Sequence, residues 1–276
     1  MKSIIVALAL VLTGQSWAQA KTILISDMDD TIKVSHVLDK TEMTKNARRT
    51  DNLFAGMNSL YRILSAENPD LEVYYVSNAP PWLMRKKHTA FLQNNKFPMA
   101  EGSLKMRQDV TDNEFKVKMI SSIIDKENPT TVIMVGDNGE HDTELYSQIE
   151  KKYSKASKIR FLSYIHMVYH TQDSEDAGKP LEPKQKGFAT SWDLLLQLRQ
   201  EGFVSADSTQ LFLNAFAQTL ANEPNNLKLG SLIFPAWVNC RDYKWTAQDQ
   251  DLAASAEAIA VKAKIQERCS HDEIED

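Results

Sequence analysis

Three short apolar runs mark the first half of the chain, and each ends in small or acidic polar residues. "TILIS" (22–26) runs into Asp27, "LEVYYV" (71–76) into Ser77 and Asn78, and "TVIMV" (131–135) into Gly136 and Asp137. Their length and β-branched content predict buried strands, and a fourth, longer run, "IRFLSYIHMVY" (159–169), predicts another. Between them the apolar positions take a helical period. Leu53, Met57, Leu60, Tyr61 and Leu64 share one face, as do Val117, Ile120 and Ile124. Strands alternating with amphipathic helices predict an α/β fold, with a parallel sheet covered by helices on both faces. In such sheets ligands bind beyond the carboxyl ends of the strands. The polar residues that end the runs therefore converge, although far apart in sequence.

Past residue 205 the pattern changes. "TQLFLNAFAQTLA" (209–221) and "DLAASAEAIAVKAKIQE" (251–267) predict helices, joined by a stretch rich in Pro, Asn and Trp with no catalytic signature. The expected organisation is a main domain over residues 21–204 and a C-terminal helical extension over 205–276. Residues 1–20 carry one lysine, an apolar run from Ile4 to Leu12, and "AQA" before the expected cleavage point. That is the pattern of a signal peptide, too short to span a bilayer, and it predicts a periplasmic or secreted protein. The absence of any Asn-x-Ser/Thr sequon favours a bacterial one. In an oxidising compartment the only two cysteines, Cys240 and Cys269, are a candidate disulfide. A net charge of −5 gives no support for nucleic-acid binding, which needs a basic face.

The residues that end the strands suit phosphoryl transfer. Asp27, Asp29 and Asp30 repel one another unless a cation or a lysine lies among them. A carboxylate at a strand end can attack phosphorus when a divalent cation neutralises the phosphoryl oxygens, and a second carboxylate two residues on can act as acid and then base. "GDNGEHD" (136–142) adds the oxygen ligands Asp137 and Asp142, of the hard type that Mg2+ prefers. Ser77 can donate to a phosphoryl oxygen. Lys116 and Lys118, at the start of the helix before "TVIMV", both have the position of a lysine that holds the nucleophile ionised. Asp30 is read as a turn-capping residue. His166 and His170 have a zinc-like spacing but no third ligand, so zinc is not expected.

"DMDDT", "VSN", a helix-starting lysine and "GDNGEHD", in that order, resemble the four motifs of the haloacid dehalogenase phosphatase superfamily. More narrowly, "ISDMDDTIK", "FAGMNSLYRIL", "YYVSNAPPW", "FPMAEGSLKMR", "VGDNGEHDTELY" and "GFATSWDLLLQLRQEGF" resemble the actin-patch-associated phosphatidate phosphatase family, related to the lipins. The resemblance runs from about residue 22 to 204. It implies a three-layer Rossmann-like fold, with Asp27 as nucleophile, Asp29 as acid and base, and Ser77 with Asn78 on the phosphoryl oxygens. It favours Lys116 over Lys118. It also implies Mg2+ held by Asp27, the Asp29 main chain and Asp137, with Asp142 in or near the ligand set. The pattern departs from the family at "SNAPPW", with an added proline, and at His166, where an arginine is expected.

The segments between motifs are too short for a large cap, which leaves an open site suited to bulky or interfacial substrates. The expected substrate is a phosphate monoester, with a membrane phospholipid such as phosphatidate first. Soluble phosphomonoesters are the alternative, and a non-catalytic lipid-phosphate-binding module is a third reading that Asp27 and Asp29 together argue against. A receiver domain is disfavoured, because its acceptor aspartate would end a later strand. "PPWLMRKKH" (80–88) reads either as an interfacial element or, more commonly, as a helix with its apolar side in the core and a solvated basic face.

Overall fold

The computed structural model describes residues 21–154, 158–172, 177–222, 231–248 and 255–270. The expected signal peptide lies outside the described residues. Six strands form one sheet: β1 (Thr22–Ser26), β2 (Leu71–Ser77), β3 (Leu104–Met106), β4 (Thr131–Asp137), β5 (Arg160–His166) and β6 (Lys186–Phe188). Every pairing is parallel and the order is β3-β2-β1-β4-β5-β6. The chain therefore winds outward from β1 in both directions, and the order reverses between β1 and β4. A crevice opens at such a switch point, beyond the carboxyl ends of the strands.

The central strand shows why these residues form a sheet. All five side chains of β1 are buried, and they alternate between two cores: Leu24 packs on one face, Ile23 and Ile25 on the other. The second face is covered by α4 (Phe115–Glu127), through Ile120, Ile123 and Ile124, and by α5 (Asp142–Ser154), through Tyr146 and Ile149. The first face is covered by α2 (Met57–Glu67), α3 (Pro81–Asn94) and α6 (Ser191–Gln200). The α2 stripe is the one expected: Met57, Leu60, Tyr61 and Leu64 are all buried. Gly56, just before α2, has φ +85° and no room for a side chain, because a Cβ would sit 2.2 Å from the Ser191 hydroxyl. This lets α2 and α6 begin against each other.

Two later helices extend the first core. Phe212, Leu213 and Phe216 of α7 (Ala206–Ala221) and Val261 and Ile265 of α8 (Ala256–Ser270) join the cluster that contains Trp192 and Leu195 of α6. Cys240 and Cys269 form a disulfide that ties α8 to the segment at 231–248. The Arg268 guanidinium adds a hydrogen bond to the Val238 carbonyl.

The sequence reading and the structure differ at the sheet margins. The run at 159–169 is strand only to His166, and the three-residue strands β3 and β6 were not expected. Each pairs along one side only, so neither carries the long apolar run that marks a central strand.

Candidate active site

Two strand ends and two helix starts meet above the crevice. Asp27 follows β1, its N–H continuing the ladder to the Val135 carbonyl at 2.9 Å. Asp137 ends β4, and Asp142 opens α5. All three carboxylates are buried and offer oxygens within 4.8 Å of one another. Lys116, in the first turn of α4, reaches between them: its Nζ lies 2.7 Å from Asp27 Oδ1 and 2.7 Å from Asp142 Oδ1. Lys118 points to solvent and pairs with Asp112 and Glu114 instead. Gly136 makes the cluster possible, because a Cβ there would meet Asp142 Oδ2 at 2.5 Å.

Electrostatically the cluster is short of positive charge. Burial, then the neighbouring carboxylates, push Asp27 and Asp137 well above the usual carboxylate range, although Lys116 pulls both back. Burial alone would lower Lys116, but Asp142 and Asp27 outweigh it and hold the ammonium well above its ordinary pKa. One lysine cannot balance three buried carboxylates, and Asp142 Oδ2 is buried with no hydrogen-bond partner among the described residues. An oxygen-only set with an orphaned lone pair suits a hard divalent cation. Asp27, Asp137 and Asp142 are the side chains that would hold one.

Asp29 stands apart from this cluster, 27% exposed at the cavity wall. Its Oδ1 accepts from the Ser35 hydroxyl at 2.5 Å and lies 3.7 Å from Lys33 Nζ, and its Oδ2 lies 3.8 Å from His88 Nε2. A side-chain metal contact from Asp29 is therefore not part of the grouping, and its main-chain carbonyl is what the resemblance implied. A proton donor at neutral pH needs a raised pKa, yet here the shift runs the other way. Burial would raise it, but His88, Lys33 and the Ser35 hydroxyl together hold it below the usual range. Burial also lowers His88 itself, so at neutral pH the effect rests on Lys33 and Ser35. In this state Asp29 is ionised and poised as a base.

Ser77 ends β2, accepts from the Ala79 N–H at 3.1 Å and lies 3.4 Å from His88 Nε2. Asn78 follows it at the cavity wall. His88 and Lys33, both fully buried, were not singled out from the sequence. Asp30 is structural, as expected: with φ +58° it turns its carboxylate onto the N–H groups of Ser35, His36 and Val37 and the Tyr169 hydroxyl. Burial nonetheless pushes it up to about 6. Tyr169 stacks on Trp237, which stacks in turn on His36 at 4.4 Å. His166 serves packing, lying against Phe188 and edge-on to Phe54, with its two nitrogens facing the carbonyls of Asp30 and Ala189. Both ring nitrogens thus face main-chain carbonyls inside the core.

The crevice widens into a cavity of about 660 Å3. Asp27, Asp29, Ser77 and Asn78 form its polar end. Val37, Met43, Ala47, Leu83 and Met84 give it an apolar wall, built by α1 (Lys40–Ala47) and α3. The core-facing expectation for "PPWLMRKKH" holds for Met84 and His88 and fails for Trp82 and Leu83, which are 77% and 58% exposed. In helical phase these two lie off the face that carries Met84, His88, Phe91 and Leu92.

An aspartate after the first strand, a hydroxyl after the second, a lysine opening a helix and an aspartate after the next central strand, on a parallel sheet of this order, make the arrangement of the haloacid dehalogenase-like class. The chain belongs to the family described as "Phosphatidate phosphatase APP1, catalytic domain", which it matches over residues 22–162. It is 26% identical over 184 residues to the uncharacterized protein C29B5.04c of Schizosaccharomyces pombe, covering 61% of this chain and 30% of that protein. It thus spans less than a third of that relative's length. Among solved structures it is similar to a haloacid dehalogenase-like hydrolase from Burkholderia xenovorans (12% identity, TM-score 0.45, 67% of this chain and 99% of the other). A D,D-heptose 1,7-bisphosphate phosphatase from B. bronchiseptica, complexed with magnesium and phosphate, is similar at 12% identity and TM-score 0.44, over 65% and 99% of the chains.

Proposed function

We propose that the protein is a Mg2+-dependent phosphomonoesterase that works through an aspartyl-phosphate on Asp27 and acts on phosphatidate or a similar lipid phosphate. The observation that carries this reading is the buried Asp27–Lys116–Asp142 arrangement beside Asp137, opening into a cavity with an apolar wall. Mg2+, when bound, neutralises phosphoryl oxygens and the surplus carboxylate charge. Lys116 aims Asp27 and, together with the cation, would hold it ionised. The Asp27 carboxylate attacks phosphorus, the bond from phosphorus to the ester oxygen breaks, and Asp29 gives that oxygen its proton. A bound phosphate dianion is a like charge beside Asp29, and it raises the pKa that Lys33 and Ser35 otherwise hold down. Asp29, now ionised, takes a proton from water as the water attacks phosphorus, and the bond to Asp27 breaks to release phosphate. Ser77 and Asn78 donate to the phosphoryl oxygens. The disulfide between Cys240 and Cys269 supports an oxidising compartment, in line with export.

The test is phosphate release from phosphatidate in vesicles beside a panel of soluble monoesters, with Mg2+ or with EDTA. Release from phosphatidate that EDTA abolishes is the expected result. Release from soluble esters alone would overturn the lipid substrate, and EDTA-resistant release would overturn the metal.

His88 sharpens the same reading. With Nε2 near both Ser77 Oγ and Asp29 Oδ2, it positions the two groups without touching substrate. His88→Leu is expected to lower kcat about ten-fold, the worth of one buried hydrogen bond, with KM little changed. His88→Gln should recover most of the loss. Equal losses in both variants, tracking a fall in Tm, would reduce His88 to packing.

A further inference from the structure

We propose that the first turn of α3 is a bilayer-docking element, which seats the mouth of the cavity on a phospholipid surface rich in anionic headgroups. The inference rests on the lipid-phosphate reading above and goes on to name the surface that meets the membrane. Trp82 is the most exposed large apolar side chain among the described residues, at 77%, and Leu83 beside it is 58% exposed. Exposed tryptophan is uncommon in water and favoured at the membrane interface, where its ring sits among headgroups.

The helix sets which neighbours share that surface. Residues four apart lie one above the other, so Trp82 stands over Lys86 and Leu83 over Lys87. The Leu83–Lys87 stripe lines the cavity together with Met84. The Trp82–Lys86 stripe is the next one round, outside the rim. Leu83 thus connects the exposed Trp82, its neighbour in the chain, to the apolar wall made by Val37, Met43 and Ala47. Arg48, at the end of α1, and Arg107 also line the cavity, and the Arg107 Nε is buried with no hydrogen-bond partner among the described residues.

The charges at this rim are what separates a membrane from other occupants. Arg49 is paired with Asp51. Arg48, Lys86 and Lys87 have no ion-pair partner among the described residues, although the chain as a whole is acidic. Glu140 is the one exposed acid lining the cavity, so cations outnumber acids on its exposed lining, and an apolar tip flanked by them complements an anionic bilayer, with the tip in the acyl boundary and the cations among the headgroups. α3 has 14 residues, too few to span a bilayer, so the contact is peripheral.

The experiment uses the full chain and vesicles of phosphatidylcholine with or without phosphatidylglycerol, and no phosphatidate, so that binding is read independently of the active site. Trp82→Ser and Lys86→Glu are the variants, since neither residue lines the cavity. The parent is expected to float with phosphatidylglycerol vesicles and to be released by salt, and each variant should partition about ten-fold or more weakly. Phosphate release from vesicular phosphatidate should fall in parallel, while release from dispersed short-chain phosphatidate stays at the parental rate. A parent that does not bind these vesicles, or variants that bind as the parent does, would overturn docking. So would concentration-dependent dimerisation of the parent that Trp82→Ser abolishes, because a second copy would then cover the patch. Vesicle binding that depends on Trp82 and Lys86, without phosphate release from any ester, supports docking and overturns only the phosphatase reading.

Discussion

Asp27→Asn is expected to lower phosphate release about 10^4-fold or more while leaving the folded protein at least as stable without metal. The rate argument is chemical: an amide cannot replace a carboxylate as nucleophile toward phosphorus, and such losses fall in the range seen when a covalent nucleophile is removed. The stability argument runs in the opposite direction. Asp27 is buried beside Asp142 and Asp137, and burial, then the charges of Asp142 and Asp29, push its pKa well up. An acid whose folded pKa lies above its unfolded value stabilises the fold only where it is protonated, and loses that contribution as pH rises through the folded value. At neutral pH without metal the Asp27 charge is therefore a burden that Lys116 offsets only in part. A labelled phosphoryl group should be trapped on the parent after acid quenching and be absent from the variant. A variant that retains activity within ten-fold of the parent would rule out Asp27 as the nucleophile.

Lys116→Met should be the more damaging change to the fold. It removes the one ammonium among the described residues that lies within 3 Å of both Asp27 and Asp142, at 2.7 Å from each, and leaves buried carboxylates facing one another. Breaking a buried pair from one side typically destabilises by about 3–5 kcal/mol, because the remaining charge has neither water nor partner. The sign with pH follows from Asp27 and Asp137, both raised in the folded state. Protonation relieves the repulsion, so the deficit of the variant should shrink as the pH is lowered toward 4 and grow as it rises through neutrality. Mg2+ should recover part of it by mass action. Thermal melts of parent and variant, across pH and with Mg2+ or EDTA, would show this pattern. A deficit that ignores both pH and Mg2+ would mean that Lys116 matters as a packed side chain and not as a charge.

How much of this could be read from the sequence depended on where each residue stands. Asp27, Ser77 and Asp137 follow apolar runs that only a buried strand explains, so topology alone brings them together. Lys116 needed the family spacing to separate it from Lys118, and two residues along a helix turn the side chain from the cluster to solvent. His88 was illegible for a related reason: in "RKKHTAFL" it reads as one more basic residue, and only the helical phase set by Met84, Phe91 and Leu92 turns it inward. The same phase turns Trp82 outward, where composition alone places it in the core. Asp29 was found, but its acidity depends on Lys33 and Ser35, which a tight turn folds back onto it. No spacing rule shows that.

The stack of His36, Trp237 and Tyr169 has a consequence for modularity. Tyr169 donates to Asp30, whose carboxylate gathers the N–H groups of residues 35–37, and Trp237 packs against both the His36 and the Tyr169 ring. The match to the family model ends at residue 162, before Tyr169 and Trp237. In this chain the transferable cassette is thus longer than the matched one. A graft or shuffled gene that carried over every chemical group but left out residues 231–248 would deliver the parts of the site without the clamp that sets their spacing.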